Sequence, residues 1–193
     1  TEEGFRFDLV IHASAELDQG VRGPVSSLRD PRGILAHAPR LESRHAVEPE
    51  EVLASVEEFL RSLLLLSVVG PREEWLSAEA GSLWMLNLLT KLMLAENGDA
   101  GGGSALRLSR RLTDEQKAVL HRLPPLASGR ASVVGFQLAL ARDFLPRGRR
   151  LCDRLGVPYP ARFERTVRRR LSGVLEPSQV AAIQTSDPEP PGT

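Results

Sequence analysis

The chain opens on a period of two. Phe5, Phe7, Leu9 and Ile11 alternate with Arg6, Asp8, Val10 and His12. Successive strand side chains point to opposite faces, so this pattern predicts a β-strand with one apolar face and one presenting Arg6, Asp8 and His12. Val25 to Arg29 reads as a second strand. Asp30-Pro31-Arg32-Gly33 reads as a type I turn, with Asp first, Pro pre-setting the second position and Gly closing the fourth. Ile34 to His37 then returns as a third strand, completing a hairpin.

From Pro49 the period becomes helical. Glu48 and Pro49 mark a start, and Glu50 and Glu51 suit the positive end of the helix dipole. Val52, Val56, Phe59, Leu60, Leu63 and Leu64 form one stripe, and Gly70-Pro71 stops the helix. Arg72 to Asn97 predicts a long second helix, apolar nearly all round through Trp75, Leu76, Leu83, Trp84, Leu86, Leu88, Leu89, Leu92 and Met93. Such a helix belongs at the centre of its bundle, and both tryptophans are expected in the core. Thr113 and Gln116 have capping-box spacing for a short helix to Arg122. Ser132 to Leu155 carries another stripe, with Pro146 expected to kink it. A last helix spans roughly Ala161 to Val174.

The expected fold is therefore α+β and predominantly α. A short β segment of about three strands over 1–38 precedes a bundle of about five helices over 48–175, and a Pro-rich tail over 176–193 is expected to be disordered. A sheet that small does not stand alone, so the chain reads as the C-terminal part of a larger protein.

Composition changes this picture little. The 193 residues carry zero formal net charge, with 41% hydrophobic and 26% charged residues, which is ordinary for a globular protein. Charge is unevenly spread, since Phe136 to Ser172 holds ten arginines against three acids. Those arginines (Arg147, Arg149, Arg150, Arg154, Arg165, Arg168, Arg169 and Arg170 among them) read either as a solvated helix face or as a binder of phosphate or nucleic acid. Nearby aromatics for base stacking are few. Cys152 is the sole cysteine, which excludes a disulfide framework and a cysteine metal cluster. No apolar run approaches the roughly 20 residues of a membrane span. With no signal-peptide pattern at the start, a cytoplasmic location and no membrane partner are expected.

Asp8 is the candidate for chemistry. It reads either as a solvated carboxylate or as one of several that gather a divalent metal such as Mg²⁺, where it can also serve as general base on a hydroxyl. Asp30 is accounted for by its turn. His12, His37 and His45 lack the spacing of a zinc site, and His121 suits a helix C-terminus. Gly98 to Ser104 is Gly-rich but follows a helix and lacks the Gly-Lys-Ser/Thr ending, so it reads as a flexible connector and not a phosphate loop.

Phe5-Arg6-Phe7-Asp8-Leu9-Val10-Ile11 resembles the third acidic strand of polymerase-β-like nucleotidyltransferases. Leu28-Arg29-Asp30-Pro31-Arg32-Gly33-Ile34-Leu35 is similar to the hydrophobic-x-Asp-x-x-Gly-x-Leu hairpin of that family. Leu83-Trp84-Met85-Leu86-Asn87-Leu88-Leu89 looks like the central substrate-side helix of its lincosamide and aminoglycoside nucleotidyltransferase branch. The likeness runs loosely over residues 5–175. It implies transfer of a nucleotidyl group from a nucleoside triphosphate to a small-molecule hydroxyl. The implied cofactors are Mg²⁺ and the triphosphate, and residues 1–38 would be the remnant of the nucleotidyltransferase α/β domain. Asp8 alone carries over, as the third carboxylate, both catalytic and metal-binding. The Gly-Ser turn and Asp-x-Asp pair that precede this strand in the family are not found before Asp8 here, which implies an incomplete and inactive portion. The alternatives are a noncatalytic helical interaction domain, or a phosphate or nucleic-acid binder using the arginines.

Overall fold

The computed structural model describes residues 14–17, 20–22, 26–41, 47–99, 108–181 and 183. The chain divides into two compact units, Thr1–His45 and Ala46–Thr193.

In the first unit, helical turns α1 (Ser14–Leu17) and α2 (Ile34–His37) alternate with the two-residue segments β1 (Val21–Arg22) and β2 (Arg40–Leu41). Val21 pairs with Arg40 and Arg22 with Leu41 in a parallel register. Among the described residues the expected three-strand segment is not seen. The first predicted strand, with Asp8, lies outside the described residues. Of the second, Ser26 to Arg29 adopts no strand, and the third, Ile34 to His37, is helix.

Asp30 is the physical reason for that correction. The turn itself forms, with Gly33 N–H donating to Asp30 O at 3.1 Å. The Asp30 carboxylate then accepts the N–H groups of Ile34 at 2.9 Å and Leu35 at 2.8 Å. Those are donors that a returning strand would place in a ladder. Captured by a side chain they start a helical turn instead, as in helix capping. Gly33 sits at φ 64, a left-handed conformation suited to glycine.

Among the described residues of the second unit every regular element is a helix. α3 (Pro49–Leu64) starts with Pro49 in its first turn after Glu48, and buries Val52, Val56, Phe59, Leu60 and Leu63. The chain breaks at Leu65, runs through α4 (Leu66–Val69) and a 3-10 turn at Gly70–Arg72, then enters α5 (Trp75–Glu96). α6 (Leu108–Arg111) and α7 (Asp114–His121) follow, and the Thr113–Gln116 capping box forms as its spacing predicts. α8 (Arg130–Leu155) continues through Pro146 and ends at Gly156, φ 71. α9 (Ala161–Leu171) packs on α3 and α4. The stretch expected to be disordered from Glu176 on begins with α10 (Pro177–Ala181), and Ile183 is buried.

α3, α5 and α8 form the core. Phe59 stacks on Phe144 with ring centroids 3.9 Å apart and planes 4° from parallel. α3 and α8 approach closely at Gly148, where an added Cβ would lie 3.0 Å from a Val56 methyl. Gln137 ties α8 to α5 by donating to Ser82 Oγ at 2.9 Å. α5 is central as its composition predicts, but not on every side. Leu76, Leu83 and Trp84 are 74%, 53% and 50% exposed, so Trp84 is not a core residue, and Trp75 is only partly buried.

Candidate functional site: a cavity at the end of the bundle

One end of the helical unit carries an open cavity of about 340 Å³. The sequence builds it by breaking helices. α4 stops at Gly70-Pro71, and Glu73 adopts φ 56 with its N–H donating to Gly70 O at 3.1 Å. That reversal brings the Trp75 indole against Gly70, where a Cβ would stand 3.8 Å from the ring. Arg130, the first residue of α8, and Val134 one turn later face the cavity from the opposite side. The stretch Ser172 to Glu176 closes it, held by Val174 and Leu175 N–H groups donating to Leu171 O at 2.9 Å. Arg130 Nη2 donates to Val174 O at 2.9 Å, which links the start of α8 to that closing stretch. Leu66, Val134 and Leu175 are buried, while Arg130 and Glu176 are exposed.

A shallower groove of about 420 Å³ runs between α5, α7 and α8, lined by Leu86, Asn87, Thr90, Leu120, Leu123 and Phe136 among others. Leu83 lies three and four residues before Leu86 and Asn87, so it extends the same helix face.

The arginine excess resolves into pairs and a remainder. Arg147 is buried and bonds Glu96 at 2.6 Å and Glu115 at 2.5 Å, bridging α8 to the ends of α5 and α7. Gln116, also buried, donates to Met93 O at 3.0 Å and to Glu96 at 3.1 Å in the same network. Arg149 bonds Glu164 at 3.1 Å and stacks on the Tyr159 ring, 4.6 Å from its centroid. Tyr159 in turn donates to Glu164 at 2.7 Å. Burial, then the adjoining Glu164 carboxylate, pushes the Tyr159 phenol far above its ordinary range, so this cluster keeps it protonated. Arg154 donates to the Ala95 and Glu96 carbonyls at the end of α5, Arg168 lies 3.9 Å from Glu164, and Arg150, Arg165, Arg169 and Arg170 are exposed. The buried arginines are structural. Their signal was legible: Arg147 falls between Phe144 and Leu151 at helical spacing, on the inward stripe.

Other candidates from the sequence are placed as follows. Asp8, His12, His45 and the core of the Gly-rich segment (residues 100–104) lie outside the described residues. Asp30 is the cap described above. His37 shares a hydrogen bond with Gly33 O at 2.7 Å, and His121 ends α7 exposed. Cys152 is free and buried, and burial, reinforced by Asp153, raises its thiol above the usual range. Among the described residues no three His, Cys, Asp or Glu side chains converge to hold a metal. The cavity residues Arg130 and Glu176 had no sequence signal, because 46 positions separate them and neither belongs to a motif.

Compared with family models, curated proteins and solved structures, the chain matches none. No described helix is long and apolar enough to cross a membrane.

Proposed function

We propose that the chain belongs to a nucleotidyl-transfer protein of the cytoplasm, with Asp8 as a carboxylate of the Mg²⁺–triphosphate site and the helical unit as the part that selects a small-molecule hydroxyl acceptor. The observation that carries this reading is the order of parts along the chain. The acidic alternating stretch Phe5 to Ile11 comes first, then the Asp30-Pro31-Arg32-Gly33 turn, then a helical bundle. A cavity of small-molecule size within that bundle supports it. The buried, unpaired Cys152 fits a reducing compartment. In the reaction an acceptor hydroxyl attacks the α-phosphorus and pyrophosphate leaves. A carboxylate at Asp8 would hold metal or take the hydroxyl proton.

The test is nucleotidyl transfer by the protein in its natural length, with and without Asp8→Ala. Loss of about 10²-fold or more in kcat/KM is expected for removal of a metal-holding or proton-accepting group. An Asp8→Ala protein with full transfer activity overturns the assignment.

A second reading is favoured by one observation, the exposed Leu76–Leu83–Trp84 face of α5. It makes the unit a noncatalytic module that docks an amphipathic segment whose acidic residues meet Arg110 and Arg122. Both arginines are exposed on the elements that wall the adjoining groove. Under this reading Asp8→Ala is silent, and Leu83→Glu abolishes association.

A further inference from the structure

We infer that the cavity between α4, α5, α8 and the α9–α10 connection binds a small zwitterion with an apolar body, an aromatic α-amino acid being the simplest example. As the seat of the acceptor this rests on the nucleotidyl-transfer reading; as a binding site it does not, and the experiment below is blind to Asp8.

The volume of about 340 Å³ lies in the range of small-molecule sites. Its apolar side is supplied by Leu66, Val134 and Leu175, all buried, and by the indole of Trp75, a flat surface for an aromatic ring. Its lining residues include one cation and one anion, Arg130 and Glu176. Arg130 uses Nη2 on the Val174 carbonyl, and a guanidinium has five N–H donors, so others remain for a carboxylate. Glu176 uses its backbone N–H on Gln179, and its carboxylate, like the Arg130 guanidinium, enters no ion pair among the described residues. α8 begins at Arg130 with no side-chain cap on Gly129, so the positive end of a 26-residue helix adds to the arginine.

Two opposite charges that line one cavity without pairing suit a ligand that brings both complements. A simple anion leaves Glu176 facing like charge, and a simple cation does the same to Arg130. A neutral apolar molecule uses neither charge.

The chain contains two tryptophans, Trp75 and Trp84. Trp84→Phe removes the exposed one and leaves Trp75 as the sole indole reporter. Phenylalanine, 3-phenylpropionate (no ammonium) and phenylalaninamide (no carboxylate) are titrated into that variant while fluorescence is followed. The proposal expects a saturable change with phenylalanine and about tenfold weaker binding of each analogue, the scale of one charged hydrogen bond. It expects about tenfold weaker phenylalanine binding after Arg130→Gln or Glu176→Gln; the urea midpoint stays unchanged for Glu176→Gln and falls slightly for Arg130→Gln, which also loses the bond to Val174 O. Both residues are exposed, so either variant reads the cavity if the other fails to fold. No saturable change up to the solubility of phenylalanine overturns the proposal, as does equal binding of all three ligands or indifference to both substitutions. Asp8→Ala leaves the titration unchanged, so failure of the nucleotidyl-transfer reading is seen separately.

Discussion

α3 and α5 pack against each other and against α8, yet they meet solvent in opposite ways. The outward side of α3 is charged. Glu57 and Glu58 stand beside Arg61, which holds Glu58 at 2.9 Å, while Glu50 and Glu51 sit in the positive first turn. Every large apolar residue on its stripe from Val52 to Leu63 is buried. α5 buries Met85, Leu88, Leu89, Leu92 and Met93 just as fully, but its outward side carries Leu76, Leu83 and Trp84. A helix needs one apolar stripe to join a bundle. α3 has that and no more, and α5 has a second. The second stripe contributes little to folding, because its side chains keep half or more of their exposure. Under the second reading proposed above, that stripe is the docking face.

The largest expected effect sharpens the contrast from the α3 side. Phe59→Ala removes a fully buried ring stacked on Phe144 and should cost about 3–5 kcal/mol of unfolding free energy in urea titrations. A loss under ~1 kcal/mol would mean the α3–α8 seam is not where the core sits.

Arg147→Met comes next. It leaves Glu96, largely buried, without its cation, and should cost about 2–3 kcal/mol. The gain from pairing with the more exposed Glu115 is discounted for solvent screening. Adding Glu96→Leu should recover part of the loss, which a double-mutant cycle measures.

Gly148→Ala places a methyl against Val56 and should cost about 1–2 kcal/mol, relieved by Val56→Ala. Absence of that coupling would contradict the close α3–α8 approach.

A pH series probes the buried acids. Cys152 and Tyr159 have folded-state values raised above those of the unfolded chain, mainly by burial. Their contribution is complete below the unfolded thiol value of about 8.5, and it is lost as pH climbs from there toward the folded values. The urea midpoint should therefore fall on the alkaline side. Cys152 should resist a thiol reagent at pH 8 until the protein unfolds. Prompt reaction in the native protein would refute its burial.

Asp30→Ala should cost about 1 kcal/mol, local to the first unit. Amide exchange at Ile34 and Leu35 reports it.

How far these elements were legible in the sequence depends on how many residues voted. α3 repeats its stripe over 16 residues and begins at a Glu-Pro pair, so period and punctuation agree. Ile34 to His37 offers four residues, too few to separate a period of two from 3.6. The Asp30 carboxylate decided that segment, and its reach to two N–H groups is geometry that the turn motif did not reveal. For α5 the composition announced a central helix but could not say which third of the circumference would be left over. The cavity was illegible because Arg130 and Glu176, which both line it, share one cavity wall only after α8 and α9 have folded back. Asp8, the one residue to which the sequence attached chemistry, lies outside the described residues.

The division of α5 into a buried folding face and an exposed apolar face is tested most directly by urea unfolding of two matched variants on that helix. Leu89→Ala, fully buried, should lose about 2–5 kcal/mol, and Leu83→Ala, 53% exposed, should stay within about 0.5 kcal/mol of the parent protein. Equal losses at the two positions would contradict the account, since Leu83 would then be part of the core.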